Sequence, residues 1–154
     1  MSPDRIAALD TNLLLLWLVI ETDQALLRTY KRVSTFEESD ARLLASELQP
    51  FETVVTTPHV LAETTNLLDH APLYRRSALF DTLRRFIDGH QEWYEEARTL
   101  CRLESFMNLG LADTALLSVS RRATVITVDW RLAGKIELQG GRVVNFNHLR
   151  NLMR

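Results

Sequence analysis

Apolar positions along the chain fall into two kinds of run. Short continuous ones read as buried strands, and longer ones spaced by three and four residues read as helices. Ile6 to Leu9 is an apolar tetrad stopped by Asp10, and it feeds the apolar stretch Leu13 to Ile20. A strand followed by a helix is expected there. Residues 22–37 are polar and mixed, which predicts a mobile connection. Ser39-Asp40 is placed to cap a helix through Leu48, with Leu43, Leu44 and Leu48 at helical spacing and Pro50 as its stop.

Thr53 to Thr57 is β-branched throughout and predicts a second strand. Pro58 suits the first turn of the next helix, which runs to about His70. Arg75 to Asp88 is a further helix closed by Gly89, Glu92 to Phe106 another, and Leu111 to Arg122 another. Thr124 to Val128 carries the strongest strand pattern in the chain. Trp130 to Leu138 is a short helix, Gly140-Gly141 a turn, and Val143 to Phe146 the last strand. Apolar strands alternating with helices predict an α/β fold, a three-layer α/β/α sandwich around a central, mostly parallel sheet. No repeat or linker interrupts the pattern, so residues 1–154 read as one domain.

Eighteen basic residues against twenty acidic ones leave a net charge of −2, so no global field attracts nucleic acid. The distribution is uneven, with 5 basic and 11 acidic residues before position 71 and 13 and 9 after it. Any anionic partner must therefore meet a local face. The longest apolar run, Leu13 to Ile20, is far short of the about 20 residues that span a bilayer. Asp4 and Asp10 ahead of it disfavour a secretory signal. A single cysteine, Cys101, excludes an internal disulfide and a cysteine zinc cluster. A cytoplasmic protein without membrane contact is the expectation.

Ligands of open α/β sheets bind at the carboxyl ends of the strands. Two acids stand there, Asp10 after the first strand and Asp129 after TVITV. Each serves equally well as a helix cap. Glu63 lies three residues after Val60 and four before Leu67, which places it on the apolar stripe of its helix. Asp113 repeats the pattern, four after Leu109 and three before Leu116. An inward carboxylate is costly unless paired, and a buried salt bridge to an arginine is one way to pair it. Convergence of all four on one pocket is the other. Clustered carboxylates repel one another, and a hard divalent cation relieves that repulsion. Oxygen ligands select Mg²⁺ or Mn²⁺ over zinc, and such a cation supports water attack on a phosphodiester.

The segments ALDTN around Asp10, VLAETTNLL around Glu63, LGLADTALL around Asp113 and TVITVDWRLA around Asp129 resemble the PIN-domain family. The likeness is greatest to its ribonuclease toxins of the VapC type, from bacterial toxin–antitoxin pairs. It spans nearly the whole chain, with the acids in the family's order at intervals of 53, 50 and 16 residues. The resemblance implies a Mg²⁺-dependent endoribonuclease in which Asp10, Glu63, Asp113 and Asp129 are metal ligands and catalytic acids. Thr11 and Asn12 match the polar pair after the first acid, where Asn12 would orient Asp10 or the scissile phosphate. Thr127 matches a hydroxyl residue two before the last acid, and it suits a plain strand position as well. A tRNA or ribosomal RNA loop as substrate, a cognate antitoxin protein and a homodimer are also implied. Helices between residues 13 and 50 or 75 and 106 would form the dimer face.

Arg121, Arg122 and Arg131 are candidate RNA contacts, and Trp130 a candidate for base stacking. Trp17, inside LLLLWLVI, is expected in the core. The four histidines have no metal-binding spacing, and Ser118 and Ser120 lack a histidine partner. Two other functions fit the acids. One is a Mg²⁺-dependent phosphatase with Asp10 as nucleophile, although Asn12 stands where such enzymes place a second aspartate. The other is a PIN fold that binds RNA or protein without catalysis.

Overall fold

The computed structural model describes residues 2–154. Its strands are β1 (Ile6–Leu9), β2 (Thr53–Thr56), β3 (Gln91–Glu92), β4 (Thr124–Thr127) and β5 (Arg142–Asn145). They pair in parallel in the order β3-β2-β1-β4-β5. Every residue of β1 and β4 is buried, as continuous apolar runs require when both faces are covered. Ala8 pairs with Val55 on one side and Val125 on the other, and Leu9 pairs with Ile126.

The first helix, α1 (Thr11–Thr22), is buried at Leu13, Leu14, Leu15, Leu16, Leu18 and Val19. A helix apolar nearly all round needs neighbours on most sides, and α1 contacts α3 (Glu38–Leu48), α4 (Pro58–Leu68) and α5 (Leu73–Gly89). Helix α7 (Phe106–Val119) contacts α6 (Ala97–Leu100) and α8 (Trp130–Leu138). The result is the expected α/β/α sandwich. No helix among the described residues is long and apolar enough to cross a membrane.

Several local expectations are corrected. Residues 22–37 are not a loose connection: α2 (Leu26–Thr29) and a 3₁₀ turn, Lys31–Val33, bury Leu26, Leu27, Tyr30, Val33 and Phe36 against the core. Their polarity belongs to the outward positions between those anchors. Helix α3 is capped by Glu37, while Asp40 is its third residue and accepts from the Glu37 N–H at 2.8 Å. The stretch Glu92 to Phe106 is not one helix. It holds the end of β3, the single turn α6 and further turns, with Tyr94, Arg98 and Arg102 exposed.

The helix expected from Leu111 begins at Phe106 and is broken at Gly110, whose φ of 77° and ψ of −178° only glycine adopts readily. The last strand ends at Asn145, which caps an unexpected helix, α9 (Phe146–Leu152). Arg150 fastens α9 by two 3.0 Å bonds to the Asp40 carboxylate and one of 2.6 Å to the Thr35 carbonyl.

Candidate functional site

Connections run outward from β1 in both directions, so β1 and β4 flank the point where strand order reverses. That point is where an open α/β sheet offers a crevice at its carboxyl edge. Asp10 leaves β1 there, and its N–H donates to the Ile126 carbonyl at 3.1 Å. Its carboxylate is buried and accepts three hydrogen bonds. Oδ1 takes the Leu13 N–H at 2.8 Å, and Oδ2 takes the Thr127 hydroxyl at 2.6 Å and the Val128 N–H at 2.8 Å. Burial pushes the Asp10 carboxyl above its ordinary 3.8, the three donors pull it back, and the charge of Asp129 pushes it up again.

Thr127 is therefore more than a strand former. While donating to Asp10 it accepts the Asp129 N–H at 2.9 Å, tying the ends of β1 and β4 together. Asn147 supports the same corner by donating to the Val128 carbonyl at 2.7 Å. Asp129 caps α8, its Oδ1 accepting the Arg131 N–H at 2.8 Å and the Leu132 N–H at 3.4 Å. Both strand-end acids thus are helix caps, and both lie against helix N-termini that favour negative charge.

Asp113 follows the Gly110 break, in the first turn of the restarted helix, where the buried Thr114 hydroxyl donates to the Gly110 carbonyl at 2.5 Å. Its carboxyl is pushed up to about 7, first by burial and then by the negative charges of Asp129, Asp10 and Glu63. Proximity to the Asp129 side chain favours the protonated form further. The four acids consequently share one electrostatic field. Among the described residues none of them forms an ion pair, so no arginine neutralises Glu63 or Asp113.

Glu63 departs from the expected inward position. The buried stripe of α4 is Val60, Leu61, Thr64 and Leu68, which leaves Glu63 exposed. As the side chains stand, no three His, Cys, Asp or Glu groups among the described residues enclose a cation position. Thr11 is buried at the start of α1, whereas Asn12 is exposed; the three donors to Asp10 come from elsewhere, so Asn12 does not orient it.

The expected RNA contacts separate into two places. Trp130 is 73% exposed directly after Asp129, with the Arg131 guanidinium 5.9 Å from its ring centre. Arg121 and Arg122 precede β4 and line a cleft of about 350 Å³ together with Thr57, Trp93 and Tyr94, which follow the carboxyl ends of β2 and β3. Arg122 lies 4.4 Å over the ring of Trp93 and, among the described residues, forms no ion pair. Trp17 packs edge-on against Phe86 at 5.3 Å, at the margin of the core. No family model, curated protein or solved structure matches this chain.

Proposed function

We propose that this chain is a metal-dependent endoribonuclease, a PIN-like toxin of the VapC type, using Mg²⁺ or Mn²⁺. The observation that carries this reading is the corner at which Thr127 joins the Asp10 carboxylate to the Asp129 amide, with none of the four acids in an ion pair among the described residues. Four oxygen-donor carboxylates without a neutralising arginine are the donor set a hard divalent cation fits. Asp10, Glu63, Asp113 and Asp129 would hold it, directly or through water, once side chains that do not yet enclose a cation position rearrange. Bound there, such a cation would neutralise the carboxylates, polarise the attacking water and stabilise the leaving oxygen of a phosphodiester.

The chain's own parts have distinct tasks. Thr127 and the Leu13 and Val128 amides hold Asp10 in one orientation. The N-termini of α1 and α8 offset part of the charge a phosphate brings. Cleavage of total bacterial RNA, with Mg²⁺ or Mn²⁺, an EDTA control and the Asp10→Asn protein, tests the proposal. Metal-dependent cuts at a few tRNA or ribosomal RNA loops, absent with the variant, are expected. Undiminished cutting by Asp10→Asn would remove the catalytic assignment. A cognate antitoxin, a homodimer and a cytoplasmic location belong to the same reading; co-expression with neighbouring genes and light scattering test the first two.

Asp10 as a phosphatase nucleophile has less support, because Asn12 stands where such enzymes place a second aspartate. A binding module without catalysis draws on one observation, the lack of a preformed three-ligand position. It requires RNA or protein binding that EDTA does not alter and no cleavage with any metal.

A further inference from the structure

A cleft of about 550 Å³ opens beside the acids, bordered by Asn12, Lys31, Arg32, Leu67 and His70. Asn12 is two residues beyond Asp10 on α1, and Leu67 is one turn beyond Glu63 on α4, so two elements connect the cleft to the acidic site. No carboxylate borders it. Seven arginines of the described residues are engaged in ion pairs, but Lys31 and Arg32 are in none.

Unpaired surface cations are common; the way these two are held is not. The turn that carries them alternates buried Tyr30, exposed Lys31 and Arg32, and buried Val33. Tyr30 Oη donates to the Leu67 carbonyl at 2.5 Å, and the Val33 N–H donates to the Tyr30 carbonyl at 3.1 Å. The turn is thereby stapled to the end of α4, beside His70. Arg76 adds charge at the same end of α4, where its guanidinium donates to the Asp69 carbonyl while its Nε has no hydrogen-bond partner. On a chain of net charge −2, a local positive face beside four carboxylates steers a polyanion toward them.

We infer that this cleft binds the sugar–phosphate backbone of single-stranded RNA next to the scissile bond, with Lys31 and Arg32 each contacting a phosphate. Leu67 and His70 then lie against the adjoining base or sugar. The inference rests on the nuclease reading of the acids and adds the route by which the strand reaches them.

The test is fluorescence anisotropy of a short, labelled single-stranded RNA in EDTA, as a function of salt, alongside cleavage kinetics in Mg²⁺. Each phosphate contact on a single strand contributes about 0.7 to the slope of log affinity against log salt. Lys31→Gln/Arg32→Gln should lower the slope by about 1.4 and weaken binding about tenfold near physiological salt. In cleavage it should raise KM with little change in kcat. Arg84→Gln/Arg85→Gln, on the exposed face of α5, removes equal charge and should change affinity less than about twofold. Both substituted pairs are exposed, and thermal melts verify that each variant folds. Equal losses from both pairs, an unchanged slope, or no RNA binding by the unsubstituted protein would overturn the inference. Cleavage with an unaltered KM would sink the cleft and leave the nuclease standing. Binding that depends on Lys31 and Arg32 without cleavage would sink the nuclease and leave the cleft.

Discussion

Replacing Asp113 by asparagine tests the shared field of the four acids most directly. The folded protein keeps the Asp113 proton up to about pH 7, whereas the unfolded chain releases it near 3.8. The folded state therefore binds more protons through that interval, and its stability falls as pH rises from about 4 to about 7, then levels. Each pH unit of the interval corresponds to about 1.36 kcal/mol, so the ceiling is about 4 kcal/mol. Asp113 is only partly buried, and screening by water and salt reduces the expected figure to about 1–3 kcal/mol.

Asparagine carries no charge at any pH. Urea melts in EDTA should show the variant matching the unsubstituted protein below about pH 4 and exceeding it by about 1–3 kcal/mol at about pH 8. Buried Asp10, also raised, adds a slope of the same sign to both proteins, smaller in the variant, where the Asp113 charge no longer acts on it. Saturating Mg²⁺ should invert the order. A cation at a hundredfold its Kd stabilises the folded state by about 2.7 kcal/mol, and the variant, short of one ligand, should gain less. A variant no more stable than its parent at about pH 8, or one stabilised equally by Mg²⁺, would refute the convergence of these carboxylates.

Thr127→Val should cost about 1–3 kcal/mol in denaturant melts and depress RNA cleavage, because it strips a donor from Asp10 and orphans the Asp129 amide; Thr127→Ser should restore most of both. Gly110→Ala should destabilise by about 1–3 kcal/mol through backbone strain alone, since a Cβ there meets nothing within 4 Å. Gly134→Ala, mid-helix in α8 and equally unobstructed, should instead stabilise by up to about 1 kcal/mol, so paired thermal melts separate backbone strain from packing. Arg150→Ala should cost about 2–4 kcal/mol by leaving the buried Asp40 carboxylate without its fork, and Arg150→Lys should recover little because one ammonium cannot make both bonds; urea melts of the pair check it.

Much of the sheet was legible because its central strands are buried on both faces, so Ile6 to Leu9 and the Thr124 segment appear as unbroken apolar runs. Strand β3 had no such signature. Its two exposed residues belong to the sheet only through backbone pairing with Val55 and Thr56, which no side-chain pattern encodes. The segment 22–37 did carry a signal, since Leu26, Tyr30 and Val33 recur at helical spacing, but the charges between them outweighed it. Those same charges border the cleft beside the acids. Glu63 shares its spacing with buried Val60 and half-buried Leu67, but the stripe that α4 buries runs through Val60, Leu61, Thr64 and Leu68, so Glu63 lies just beyond its edge.

Capping and chemistry were set against each other as explanations of Asp10 and Asp129, and the geometry removes the opposition. A strand-end aspartate that caps the next helix spends one oxygen on backbone amides, as Asp129 does with Oδ1. The cap fixes the carboxylate's direction and brings a helix N-terminus to the place where negative charge accumulates. Two such caps on adjacent strands, joined by Thr127, make a rigid pair of acids at the switch point. Asp113 then enters from a helix restarted at a glycine, and burial beside those charges raises its pKa to about 7. A site that only needed helix caps would have no use for this third carboxylate, nor for leaving it without a cation. That surplus of unneutralised charge is the physical reason to look for a metal here before any other ligand.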